Sequence, residues 1–367
     1  MKNENKTFYS ITCYRVLAML IVLYYHLIEI PTYSLEIINV TKQPLKTAIL
    51  PESFLAKLGI VVLNTFHVDT GSFAVMMFFI ASGYLISKMM DRYTRKEFLV
   101  NRAISTFPTL WVSLIVIAVF VYFLEGISFT FNDFLASAFP FVPRVSGMFL
   151  SAVLWTMRVE MKFYLWAAIF WKRRKSMVIY GYMLTLFLSI AYYEFQSQLI
   201  YDQMLDASFM CFVFLGVMIE WMQREKKFEW KYIFLCILIN LLTFKISAYL
   251  FQDGASRMSY PNCVTQVFPV LLFLLFLRLE DRFPEVYKRV PQFFYLIGKL
   301  VLPYYLIHVA CGISVMLWLS KVGCGFYVIL LGGVATTFGV STLIYFGVTK
   351  PSAVLMKKTI KAMRKEK

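Results

Sequence analysis

The chain has 367 residues, of which 60% are apolar and 16% charged, and its 37 Lys and Arg against 21 Asp and Glu give a net charge of +16. Soluble domains average ~45–50% apolar and ~25% charged, so this composition excludes a large water-soluble enzyme, which needs more polar surface. A basic balance also suits nucleic-acid binding, but here the Lys and Arg lie between apolar blocks, where they set membrane orientation.

Apolar blocks follow one another at about 11–30, 70–90, 107–125, 149–171, 176–193, 207–222, 229–250, 262–280, 293–318 and 325–348. Each is near the ~20 residues a helix needs to cross a ~30 Å hydrocarbon core. The predicted fold is therefore all-α, a polytopic membrane protein of about ten transmembrane helices. With the N-terminus inside, the segments on that side carry 26 Lys and Arg and the opposite segments carry 6. Both termini are thus predicted to be cytoplasmic. Residues 1–350 read as one transmembrane domain, and 351–367 as a basic cytoplasmic tail suited to anionic headgroups. Arg15 interrupts the first block and no small-residue cleavage site follows, so that block is expected to remain as a helix rather than leave as a signal.

The stretches at about 31–69 and 126–148 contain aromatic segments, Leu55–Phe66 and Phe129–Phe141, too short to span and suited to re-entrant or interfacial pieces. The six cysteines are scattered without a C-x-x-C pair, which argues against disulfides and a zinc site. No phosphate-cradling glycine loop and no H-E-x-x-H occurs, which leaves ATP-driven transport and zinc hydrolysis without support.

Ionisable residues inside spanning helices are costly and mark candidate function. Here they are Arg15, His26, Glu29, Arg158, Glu160, Lys162, Lys245, Lys299 and His308. Arg15 and His26 are eleven residues apart. On a helix this spacing is about three turns, within ~20° of one face and ~16 Å along the axis. That pairing of a fixed cation with a proton-transferring imidazole suits a long ligand with an anionic head and a reactive far end. The plainer reading is that Arg15 snorkels to headgroups and His26 bonds a neighbouring carbonyl.

In the 149–171 block, Thr156, Glu160 and Tyr164 form an i, i+4, i+8 stripe, with Arg158 and Lys162 on the opposite face. Glu160 either holds the His26 ring or is half of a buried ion pair. In the 70–90 block, Ser82-Gly83 permits close approach of a helix or a ligand, and packing is the simpler account. His67 with Asp69 reads most simply as structural.

Taken in order, Arg15 and His26, Phe78-Phe79 with Ser82-Gly83-Tyr84, Arg102 and Pro108, Trp155 with Glu160 and Phe163-Tyr164, and Tyr305-Leu306-Ile307-His308 resemble the acyltransferase-3 family of integral membrane O-acyltransferases. One departure is that Ser105 stands where the family often has a second arginine, with Arg95 or Lys96 as a substitute. The resemblance implies acetyl transfer from acetyl-CoA, without a metal, to a hydroxyl of a cell-envelope or extracellular polysaccharide or its lipid-linked precursor, in the bacterial cytoplasmic membrane. It assigns catalysis to His26 and Glu160, the donor to Arg15, Arg102, Arg95 and Ser82, and the acceptor to Trp155, Tyr164 and His308. The phosphates of CoA suit the arginines, and His26 either deprotonates the acceptor or carries the acyl group itself. Expected partners are the acyl-CoA, the glycan acceptor and the bilayer, and a homo-oligomer is compatible. The rival class is a transporter or flippase of envelope glycans, which intramembrane charges suit equally.

Overall fold

The computed structural model describes residues 9–33, 50, 54, 57, 61, 65, 68–140, 149–250, 263–289 and 292–365. Helix α1 (Tyr9–Tyr24) runs into a π-helical turn (Tyr25–Glu29) and a last turn (Ile30–Tyr33). Then follow α2 (Thr70–Arg92), α3 (Arg95–Glu125), α4 (Phe131–Ala138), α5 (Leu154–Ile169), α6 (Arg174–Phe195), α7 (Gln198–Arg224) and α8 (Trp230–Leu250). The remainder are α9 (Cys263–Arg282), α10 (Pro284–Lys288), α11 (Gln292–Lys321) and α12 (Phe326–Ile344), which passes through a second π turn (Tyr345–Thr349) into α13 (Lys350–Lys365). Most of the Leu55–Phe66 segment, and His67, lie outside the described residues.

Among the described residues, eight helical runs are long and apolar enough to cross a membrane. The protein is an all-α polytopic membrane protein. The outward faces agree with a hydrocarbon solvent. Trp111, Ile115, Val119 and Tyr122 make one exposed stripe on α3, and Ile179, Met183, Phe187 and Ile190 make one on α6. In water such stripes are aggregation surfaces, whereas in lipid they are the ordinary exterior. One predicted block, 149–171, corresponds to a shorter helix, α5, of 16 residues, whereas α8 runs for 21 residues, the length that the 229–250 block predicts. Just before α5, Leu150 N–H bonds Ser137 Oγ and Leu154 N–H closes a turn on Ser151 O.

The chain divides into two compact units that interleave along the sequence. The first takes residues 1–21, 63–92 and 169–298. At its centre is α7, apolar around its whole circumference and buried from Ala207 to Glu220, as expected of a helix with no face left for solvent. Gly83 and Gly216 let α2 and α7 touch backbone to backbone: a Cβ on either would stand 1.9–2.0 Å from a carbonyl oxygen of the other helix. Asp69 caps α2, accepting from Gly71 N–H and Ser72 N–H, which gives that residue a structural task. One end of the unit holds a buried ionic network. Arg174 donates to Ser87 Oγ and O at 2.7 Å each and to Asp91 at 2.9 Å, and pairs with Glu220 at 3.3 Å. Arg224 pairs with the same two carboxylates.

The second unit takes residues 22–62, 93–168 and 299–367. Its long helix α3 begins earlier than the hydropathy suggests. Thr94 and Glu97 form a capping box that starts the helix ahead of the apolar run, so Arg95, Lys96 and Arg102 sit in its opening turns and Pro108 lies inside it. Helix α4, eight residues capped by Thr130 and Asp133, occupies the Phe129–Phe141 segment and leaves Phe131 exposed. The segment expected as a basic tail is helix α13, docked on α3: Arg364 bonds Glu97 at 2.9 Å and Asn101 donates to Met356 Sδ.

Candidate active site

The site begins in a backbone irregularity. Helix α1 is regular to Tyr24, and then Ile30 N–H reaches Tyr25 O, five residues back, in place of the usual four. Such π turns are rare and cluster at functional positions. His26 is the second residue of this turn and keeps some surface, while Leu27, Ile28 and Glu29 beside it are buried.

Helix α11 meets this turn through one face. His308 and Gly312 are four residues apart and therefore share that face. A Cβ on Gly312 would stand 3.0 Å from Leu27 Cδ2, so the glycine sets how near α11 comes. At that approach His308 Nε2 lies 3.0 Å from His26 Nδ1, with ring centroids 4.9 Å apart at 69°. His26 Nδ1 is also 3.2 Å from Val22 O. His308 is fully buried, its Nδ1 lies 2.8 Å from Tyr305 O, and the Tyr304 ring stacks on it at 5.4 Å and 11°. Both nitrogens of His308 are thus occupied by protein groups, leaving neither for an acceptor.

The stripe on α5 supplies the remaining polar groups. Tyr164 donates to Glu160 Oε2 at 2.7 Å, and the Arg102 guanidinium lies over the Tyr164 ring at 5.6 Å. Arg102 Nη2 also donates to Asn101 Oδ1 at 2.8 Å, and Phe98 packs edge-on against Tyr164. Toward the start of α5, Thr156 Oγ1 donates to Val153 O at 2.8 Å. Tyr164 therefore links the Glu160 carboxylate, through its hydroxyl, to a cation on α3 that lies over its ring.

The structure brings together His26 with His308, and Arg102 with Glu160 and Tyr164, all within the second unit. Glu160 does not hold the His26 ring. Its bond goes to Tyr164, and the ring of His26 bonds Val22 and His308. Trp155, half-buried, opens α5 beside Thr156, and Arg95 is exposed at the first residue of α3. Arg15 and Ser82, both half-buried, belong to the first unit. Sequence reasoning missed the partnership of the two histidines and the contribution of Tyr304 and Tyr305. The Tyr305–His308 run was its visible trace.

A family model for acyltransferase domains matches residues 8–346, nearly the whole chain, with both histidines and the α3–α5 pair inside the match. The chain belongs to the acyltransferase-3 family. No curated protein and no solved structure matches it. It is a membrane acyltransferase, and an imidazole on a distorted turn, held by a second imidazole, is a set of groups suited to moving a proton and an acyl group.

Proposed function

We propose that this membrane acyltransferase moves an acetyl group from acetyl-CoA to a hydroxyl of a cell-envelope or extracellular polysaccharide or its lipid-linked precursor, in the bacterial cytoplasmic membrane. The observation that carries the reading is the His26–His308 pair at the π turn, since the reaction needs one accessible imidazole with a fixed orientation. His26 takes the proton of the acceptor hydroxyl as its oxygen attacks the thioester carbonyl, and returns that proton to the departing CoA sulfur. A route in which His26 carries the acetyl group uses the same ring.

Arg102, a planar cation beside Glu160 and Tyr164, suits the phosphates of the donor. The family resemblance adds Arg15, Arg95 and Ser82 on the donor side and Trp155 with Tyr164 on the acceptor side. Glu160, tied to Tyr164, holds that ring beside Arg102 rather than touching His26.

The test is CoA release from acetyl-CoA by purified protein given envelope glycan acceptors. His26→Ala is expected to abolish release in a protein that still inserts and purifies normally. Release at the wild-type rate would overturn the assignment, and transport of unmodified glycan into sealed vesicles would favour a transporter.

A further inference from the structure

Three of the ring-nitrogen contacts fix where protons sit. Tyr305 O, a carbonyl, only accepts, so His308 Nδ1, 2.8 Å away, carries a hydrogen. Neutral His308 then has a bare lone pair on Nε2, and that atom faces His26 Nδ1 at 3.0 Å. Val22 O, the other neighbour of His26 Nδ1, is also only an acceptor. Two acceptors around one nitrogen require it to be the donor. His26 Nδ1 therefore holds the hydrogen, shared between Val22 and His308, and the lone pair of neutral His26 falls on Nε2.

We propose that His308 is a positioning residue, which takes the Nδ1 hydrogen of His26 and so makes Nε2 of His26 the nitrogen that meets the reacting groups. The inference rests on the reading of His26 as the reacting imidazole. His308 has no accessible surface and both its nitrogens are engaged, so it acts through His26 rather than on substrate. His26, by contrast, keeps surface for a ligand.

The proton balance follows. The acceptor hydroxyl gives its proton to His26 Nε2 while its oxygen bonds the thioester carbon. The C–S bond then breaks, and Nε2 returns the proton to the CoA sulfur. Between the two transfers His26 is an imidazolium, and the His308 Nε2 lone pair faces its Nδ1–H and stabilises it. The neutral acceptor orients the ring as a carboxylate does elsewhere, and it buries no charge in the resting pair, in which both imidazoles are neutral.

Two measurements test this. Nitrogen-15 NMR of histidine-labelled protein has three residues to resolve, His26, His67 and His308. Neutral His26 and His308 are both expected as the Nδ1–H tautomer, and His26 found as the Nε2–H tautomer overturns the proposal. His308→Leu, which removes the acceptor, is expected to lower kcat by roughly 10–100-fold, the scale seen for orienting partners of metal-bound histidines, with donor KM unchanged. His308→Gln, whose amide oxygen reaches the Nε2 position, is expected to recover part of that loss. Wild-type kcat in His308→Leu, or no recovery in His308→Gln beside an Nε2–H tautomer in the wild type, refutes the positioning role. If His26→Ala keeps full activity, the functional reading itself fails, whichever tautomer is found.

Discussion

Alanine at Gly83 or Gly216 tests whether the Ser82-Gly83 pair serves helix packing or ligand approach. The new Cβ would stand 1.9 Å from Val213 O in the first case and 2.0 Å from Ile80 O in the second, and both oxygens are backbone atoms that no side-chain rotation can move. A carbon and a carbonyl oxygen in close contact need about 3.3 Å, so α2 and α7 must part by about 1.4 Å along that line at Gly83. A gap of ~0.5–1 Å already forfeits a quarter to a half of the dispersion well for every facing pair of atoms. Overpacking of this kind costs ~1–3 kcal/mol. The control is Gly339→Ala in α12, where nothing lies within 4 Å of the added carbon. There alanine gains helix propensity of about 1 kcal/mol. Thermal unfolding of the three detergent-solubilised variants, followed by circular dichroism and monodispersity, is expected to show Gly83→Ala and Gly216→Ala melting several degrees below the wild type and Gly339→Ala at or above it. Wild-type stability in Gly83→Ala with a raised donor KM would refute the packing account and assign the close approach to a ligand.

Two further outcomes follow from the hydrogen bonds. Tyr164→Phe keeps the ring beside Arg102 and Phe98 but removes the 2.7 Å bond to Glu160. Bonds to a charged group are worth ~1.5–3 kcal/mol, so kcat for CoA release is expected to fall about tenfold or more, and an unchanged kcat would remove Glu160–Tyr164 from the reaction. Arg174→Met leaves buried Glu220 with the Ser87 hydroxyl and with Arg224 at 3.5 Å as its one remaining cation, and is expected to cost about 3 kcal/mol in thermal unfolding, with the double variant carrying Glu220→Gln less destabilised than the single one. Equal losses in the single and double variants would show that Arg174 stabilises by packing rather than by charge.

The sequence was most legible where one physical demand dominates. Hydrocarbon thickness dictates block length, which is why the spans could be placed from hydropathy, and the i, i+4 spacing of Thr156, Glu160 and Tyr164 put three polar groups on one face of α5, where Tyr164 bonds Glu160. It was least legible at helix ends. Hydropathy begins α3 near residue 107, but the capping box at Thr94 starts it at Arg95, because hydrogen-bonded caps and not apolar content decide where a helix nucleates. The π turn at Tyr25–Glu29 had no compositional trace at all.

The sequence alone determined the class of protein, the membrane as its solvent and the family, because composition, block length and an ordered set of motifs are properties of the chain itself. Only the tertiary structure decided what each site residue touches. His26 and His308 are 282 residues apart, and their 3.0 Å contact exists because Gly312 lets α11 close on the widened turn of α1. Glu160 sits beside Tyr164 and Arg102 instead of the histidine for a related reason: a carboxylate bonds whichever donors packing brings within reach, and that choice is made between helices, not along them.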